Sequence, residues 1–386
     1  MTIQSTGSDV ALIADRIRAA RARGVPLRIV SRGHWLDAGW PCSASERLDL
    51  SALDGIVSYE PGDLTLTARA GTSLSEIERV TATEGQWLTL DPHGSSDGSI
   101  GATIATASSG PLASAYGTPR DHVLGCEFVT GAGDIVRAGG RVVKNVAGFD
   151  LVRLVTGSWG TLGALTEMTV RLRARPEVDI SLFVRVEGAS EEAMASTAWQ
   201  WTRESDYRPL AAELLSPSLA RALGTDGDAQ LLVRLGGNAA FVRAARDSAA
   251  SVGDVLKVAP QVWNVLRTAE PGGAIVFRAS TLPSKAGALF ATLASLTEQF
   301  GGYAHAALSR GIVRCVIPPL DDPRAVDELL ASLGRTAVSS TIVGERMPPA
   351  FWMRLFKATD AAPLAERVRQ TFDPDRVLNP SLTGAV

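Results

Sequence analysis

The chain has 386 residues, 45% hydrophobic and 20% charged, with 38 basic against 41 acidic side chains. That balance excludes a disordered, fibrous or coiled-coil chain, and a net charge of −3 gives no basic field for nucleic acid. At roughly 150 residues per domain, the length implies two or three domains. Cys42, Cys126 and Cys315 lie far apart with no C-x-x-C, which argues against an iron–sulfur cluster, a zinc site or a disulfide framework in this chain. His34, His93, His122 and His305 are scattered, so no metal is expected. Asp9, Asp15, Arg16, Arg18, Arg21 and Arg23 break any apolar leader, and no later run reaches the roughly 18 apolar residues of a membrane span. The expectation is a cytoplasmic protein that reaches the inner membrane, if at all, through partners.

In chain order, Val10–Arg23 reads as a helix, followed by strands at Pro26–Ser31, Arg47–Leu50 and Ile56–Tyr59. Leu64, Leu66 and Ala68 alternate with Thr65, Thr67 and Arg69, the period-2 pattern of a half-buried strand. Ser73-x-x-Glu76 is a capping box, and Gly85 stops the helix that it opens. Glu127–Thr130 and Asp134–Ala138 flank Gly131-Ala132-Gly133 as a hairpin, and Ala164–Arg173 is a long strand ending before Pro176. Beyond Pro176, strands at Ile180–Val186, Gln230–Leu235, Ala274–Ala279, Ile312–Ile317 and Ala337–Val343 alternate with helices such as Ala239–Ala250 and Lys285–Gln299. This predicts an antiparallel sheet with helices on one face. The reading is α+β, with domains at 1–176 and 177–347 and a segment 348–386 that docks back on the first.

Glycine carries the functional signal. Residues 91–170 hold 14 of the 37 glycines, a density suited to tight turns or to main chain approaching a ligand. No G-x-G-x-x-G follows a strand and no Walker A motif is present, which disfavours a nicotinamide Rossmann domain and a P-loop. Instead five glycine loops follow one another: Ser31–Gly39, Asp91–Pro111, Tyr116–Asp121, Lys144–Asp150 and Gly157–Glu167.

This ordered series resembles the FAD-binding domain of the vanillyl-alcohol-oxidase (PCMH-type) family. Within that family it is most similar to the FAD-binding subunits of bacterial glycolate oxidases. Gly139–Leu151, the Gly160-Thr161-Leu162-Gly163 turn and the ending Leu378-Asn379-Pro380 carry the likeness. The resemblance implies a two-subdomain FAD-binding domain followed by a cap. It also implies a role in oxidising a small 2-hydroxy acid, with electrons passing between a catalytic flavoprotein subunit and an iron–sulfur subunit. The rivals are a stand-alone FAD-dependent dehydrogenase of a small alcohol or 2-hydroxy acid, and a flavin-free scaffold.

The implied FAD contacts are Arg32, Gly33, His34 and Trp35, then Pro92, Gly98, Ile100, Gly101, Ala102, Thr106, Ser109 and Gly110. Tyr116, Gly117, Asp121, Lys144, Asn145, Gly160, Leu162 and Gly163 complete the set. Backbone N–H groups at 32–36 would hold the pyrophosphate. Thr106 and Ser109 would donate to cofactor oxygens, and Lys144 would hold charge near the flavin. The first loop departs from the family's glycine run at Ser31-Arg32-Gly33, where Arg32 could compensate with charge. His34 stands where covalent members carry a flavin-linked histidine. Asp121 and Asp150 read as loop ties, and His122 and Cys126 as core. For proton transfer the candidates are Lys144 and His305, and Arg310 and Arg314 are candidate carboxylate partners.

Overall fold

In a computed structural model, residues 8–140, 150–188, 190–204, 206–227, 230–336, 340–355 and 363–384 are described. The chain groups into two compact units. One comprises Met1–Gly110, Gly117–Arg175 and Ala358–Val386, and the other Pro111–Tyr116 and Pro176–Lys357. Helix Pro349–Leu355 groups with the second unit, and the described tail, 363–384, groups with the first.

Among its described residues the first unit contains three sheets. Strand β1 (Leu27–Val30) pairs in parallel with β2 (Glu46–Asp49). Strands β3 (Ile56–Glu60) and β4 (Thr65–Arg69) belong to a five-stranded antiparallel sheet. Its other members are β6 (Val123–Val129), β7 (Ile135–Gly139) and β8 (Ala164–Arg171), in the order β3-β4-β8-β6-β7. Strand β5 (Gln86–Trp87) pairs with β9 (Arg173–Ala174). Strand β4 forms as expected, but it is buried on both faces rather than half-buried, and on the threonine face the Thr67 and Thr169 hydroxyls satisfy one another across the ladder at 2.9 Å. Ser73 caps helix Leu74–Ala82 by accepting the Glu76 N–H at 3.1 Å.

Two cores hold this unit. Leu66, Ile77, Ile100, Ile104, Phe128 and Met168 join the five-stranded sheet to its helices. Ile13, Ile17, Leu27, Leu48, Val129 and Leu378 join helix Ser8–Ala22, the β1–β2 pair and the tail. Asp373 is fully buried and accepts the Val377 and Leu378 N–H groups, each at 2.9 Å. The tail then runs along β1: Leu27 N donates to Val377 O at 2.7 Å, and Asn379 N donates to Leu27 O at 2.9 Å. The Asn379 carboxamide accepts the Ile29 N–H at 2.8 Å and donates to Trp159 O at 2.7 Å.

The second unit is built on one eight-stranded sheet. Its strands are β10 (Val178–Val186), β11 (Ala211–Leu215), β12 (Gln230–Gly237), β13 (Gly253–Val258) and β14 (Ile275–Ser280). They are joined by β15 (Tyr303–Ala307), β16 (Ile312–Ile317) and β17 (Thr341–Arg346). All pair antiparallel in the order β13-β10-β12-β11-β15-β16-β14-β17. Three of them, β11, β13 and β15, were not expected from the sequence. Helix Ala286–Gln299 packs on β15, β16 and helix Glu191–Glu204, and Ala239–Ala249 packs on β10 and β12. The short helices Pro217–Ala222 and Val262–Thr268 join Phe183, Leu215 and Leu232 in a further apolar cluster.

Register places Glu213, His305, Arg314 and Arg278 on one face of this sheet. His305 Nδ1 lies 2.8 Å from Glu213 Oε2, and both are buried. Arg314 is buried between Glu270 at 2.7 Å and Glu345 at 2.8 Å. Burial opposes the charge of Arg314, but the two carboxylates outweigh it and hold the guanidinium protonated. Burial likewise opposes ionisation of Glu345, and Arg314 and Arg278 overcome it, holding that carboxyl below its ordinary 4.5.

Two outcomes follow. Asn379→Ala should lower unfolding stability by about 2–4 kcal/mol, measured by urea denaturation. It removes the partner of the part-buried Ile29 N and Trp159 O and puts alanine at a φ of 44°. The second concerns acid. Because the folded Glu345 pKa is depressed, its contribution is complete above the ordinary value of 4.5 and is lost as pH falls through the folded value. Glu345→Gln should cost about 3 kcal/mol at neutral pH. The gap between wild type and variant should close on acidification below pH 4.5. A gap that stays constant down to acid unfolding would contradict the ion-pair account.

Candidate functional site

A cleft opens within the first unit, lined by segments far apart in the chain. One wall is β1 and the loop that leaves it, from Arg28 to Leu36. The other is helix Ile100–Thr106 and the turn Trp159–Gly163. Asn379 and Leu382 of the tail line the cleft between them. Trp35 and Trp159 meet edge to face, with ring centroids 6.4 Å apart.

Two glycines set the shape of these walls. A Cβ at Gly101 would lie 2.7 Å from Ala70 O, so the missing side chain lets the helix press against the end of β4. At Gly163 a Cβ would meet the Phe128 ring at 2.5 Å and Val129 O at 3.1 Å. Both glycines are expected from the sequence to let main chain approach the cofactor. In the fold their immediate need is close packing behind the cleft, although both also line it.

Of the expected contacts, Arg32, Gly33, His34, Trp35, Gly101, Ala102, Thr106, Gly160 and Gly163 come together in the cleft. Pro92, Gly98, Ile100, Ser109, Gly110, Gly117, Asp121 and Leu162 do not line it. Ile100 is fully buried in the core. Asp121 Oδ2 accepts from Thr118 N at 2.8 Å and from Thr118 Oγ1 at 3.0 Å, a helix-capping role that fits the loop-tie reading. Tyr116 groups with the second unit. Lys144 and Asn145 lie outside the described residues. Arg28, Ser31, Ala70, Ser99, Trp159 and Asn379 also line the cleft without having been among the expected contacts; Ser31, Ser99 and Trp159 fall within the glycine loops, and Arg28, Ala70 and Asn379 outside them.

Three expected roles are corrected by hydrogen bonding. Arg32 does not turn its charge into the cleft: Nε donates to Gly71 O at 2.7 Å and Nη2 to Asp54 at 3.1 Å. The Thr106 hydroxyl gives its proton to Ala102 O, one helical turn back, at 2.8 Å. Arg314 is matched by two carboxylates, so it is not available as a substrate-carboxylate partner. Asp150 caps helix Leu151–Val155 by accepting the Arg153 N–H at 3.0 Å. His122 is buried, and burial with Arg173 beside it keeps the ring below its ordinary pKa. Burial pushes the Cys126 thiol up to about 12, an inert core sulfur.

A profile of the FAD binding domain matches residues 7–139, which include β1, its loop and helix Ile100–Thr106. The glycolate oxidase subunit GlcE of Escherichia coli K12 is 36% identical over 257 residues, covering 66% of this chain and 67% of that protein. The glycolate oxidase subunit GlcD of Bacillus subtilis 168 is 35% identical over 142 residues, covering 36% of this chain and 30% of GlcD. The mitochondrial D-lactate dehydrogenase [cytochrome] of Arabidopsis thaliana is 36% identical over 152 residues, covering 39% of this chain and 26% of that enzyme. Among solved structures, p-cresol methylhydroxylase with substrate bound aligns over 97% of this chain and 87% of its own, with a TM-score of 0.75 at 16% identity. The cleft suits the cofactor of that domain: two buried polar atoms on its wall, Arg28 Nη1 and Ser31 Oγ, have no hydrogen-bond partner within the protein. Taken with the GlcE likeness across two thirds of both chains, this establishes that the chain belongs to the PCMH-type family of FAD-dependent oxidoreductases, with FAD as its cofactor.

Proposed function

We propose that this chain is the FAD-binding subunit of a complex that oxidises a small 2-hydroxy acid, with glycolate the first substrate to test. In this reading a second flavoprotein subunit removes the substrate's hydrogens, and an iron–sulfur subunit receives the electrons. The likeness to GlcE supports the subunit role. The observation that carries the division of labour is the state of Arg314. Binding a hydroxy-acid carboxylate needs an uncompensated cation, and taking its proton needs an available base. Arg314 is buried between Glu270 and Glu345, and His305 is bonded to Glu213. Freeing either for substrate would leave buried carboxylates without partners.

The domain roles follow the same reading. The unit containing 1–110 and the tail would hold the cofactor, and the unit built on the eight-stranded sheet would serve as the cap. Gly33, His34 and Trp35 would contact FAD from the first loop, and Gly101, Ala102 and Thr106 from the helix. Gly160 and Gly163 would contact it from the turn, with Lys144 and Asn145 as further contacts. When bound, FAD supplies two-electron acceptance coupled to stepwise electron release. The protein's own part is to fix the ligand between two walls braced by Asn379 and to exclude water with Trp35 and Trp159. Among the described residues, no helix is long and apolar enough to cross a membrane.

The test is reconstitution. The purified chain should be yellow with bound FAD and should reduce a dye acceptor with glycolate at a negligible rate. Co-expression with a GlcD-like flavoprotein and an iron–sulfur protein should yield a complex that co-purifies and turns glycolate over. Brisk glycolate or D-lactate oxidation by the isolated chain would defeat the subunit reading in favour of a stand-alone dehydrogenase.

A further inference from the structure

Two donors stand out where the cleft wall is traced atom by atom. Arg28 Nη1 and Ser31 Oγ are buried and have no hydrogen-bond partner, and both residues line the cleft. The other terminal nitrogen of Arg28 makes only long contacts, to Trp35 O at 3.4 Å and Leu36 O at 3.5 Å. These are carbonyls of the loop that leaves β1, so the guanidinium lies beneath that loop. No described carboxylate pairs with Arg28. Arg32, four residues on, is already held by Asp54 and Gly71 O. A charged donor left partly buried without a counter-charge is costly unless a ligand supplies one.

We propose that Arg28 and Ser31 are ligands of the FAD diphosphate, with Arg28 giving it a charge-assisted hydrogen bond from Nη1 and Ser31 a second from its hydroxyl. The assignment rests on FAD being the cofactor. Within FAD, the diphosphate is the part that carries negative charge, and a guanidinium with no other counter-charge discriminates in its favour over the uncharged flavin and ribityl groups. The hydroxyl, on the residue where β1 gives way to the loop, adds a donor of the kind that phosphate oxygens accept. Arg28 and Ser31 thus supply from side chains what Arg32 and Thr106, with their donors engaged inside the protein, do not.

The experiment compares ligands that share only parts of FAD. Apoprotein of the full chain is titrated with FAD, with ADP (by competition) and with riboflavin, for wild type, Arg28→Met, Arg28→Lys and Ser31→Ala. Flavin fluorescence is the readout. Arg28→Met should weaken FAD and ADP by about tenfold to a hundredfold, the range of one hydrogen bond to a charged group, and leave riboflavin unchanged. Arg28→Lys should recover part of the loss. The salt dependence of FAD binding should also flatten in Arg28→Met, because one charge pair is gone. Ser31→Ala should weaken FAD by about fivefold, and it decides the question if Arg28→Met fails to fold. FAD affinity unchanged in both variants would overturn the assignment. So would an equal loss for riboflavin, which would mark general damage to the cleft. A wild-type chain that takes up no FAD would overturn the family's cofactor as well as this assignment, so the two failures are told apart by wild type alone.

Discussion

Asn379 spends both ends of its carboxamide on backbone. Its oxygen takes the Ile29 N–H of β1, and its nitrogen reaches Trp159 O in the turn across the cleft. The two walls are far apart in sequence, and neither is joined to the other by a ladder of strands. The tail adds backbone hydrogen bonds between them to the direct contact of Trp35 with Trp159. Asp373 makes that possible by capping the chain at Val377 and Leu378, which aims Leu378 into the core shared by Ile17, Leu27 and Leu48. Asn379 sits at positive φ, a conformation in which asparagine is among the least penalised residues. The end of the chain therefore braces the cleft through backbone hydrogen bonds and also contributes Asn379 and Leu382 to its lining.

Much of this architecture can be read in the residues. The Ser73 cap, the hairpin at Gly131–Gly133 and the strand at Ile312–Ile317 each announce themselves through local chemistry that the fold keeps. The missed strands share a different property. Ala211–Leu215 and Tyr303–Ala307 are rich in alanine, a poor strand former, and although Ser216-Pro217, Gly301-Gly302 and Gly311 punctuate their ends, they are strands because they pair in the middle of the sheet. Gly253–Val258 has a weak pattern and lies at the sheet edge. Tertiary pairing decides such segments, and single-sequence propensity carries little of it.

Glycine is the subtler case. Gly101 and Gly163 line the cleft and also have backbone or ring atoms packed where a side chain would begin. A sequence shows that a glycine is needed and cannot show on which side the space is used. Here the close approach that shapes the wall is behind it, against Ala70 and Phe128. The ligand side gains from that indirectly, since a wall pressed tightly onto the sheet holds its position.

Arginine poses the same problem with charge. Arg28, Arg32 and Arg314 are one residue type in three electrostatic states. Arg314 is enclosed by Glu270 and Glu345, and Arg32 is tied to Asp54 and a carbonyl. Arg28 has carbonyls at long range and an orphaned nitrogen. The two carboxylates that neutralise Arg314, Glu270 and Glu345, come from separate places in the chain, and Arg346 also reaches Glu270 at 3.2 Å. Such a network is fixed by the sheet, because Arg278 and Arg314 are cross-strand partners that would repel one another without Glu345 near both. Its carboxylates are thus committed to holding the sheet's own cations. Of these three arginines, the one with charge to offer an anionic cofactor lies on β1, at the root of the loop that the tail braces.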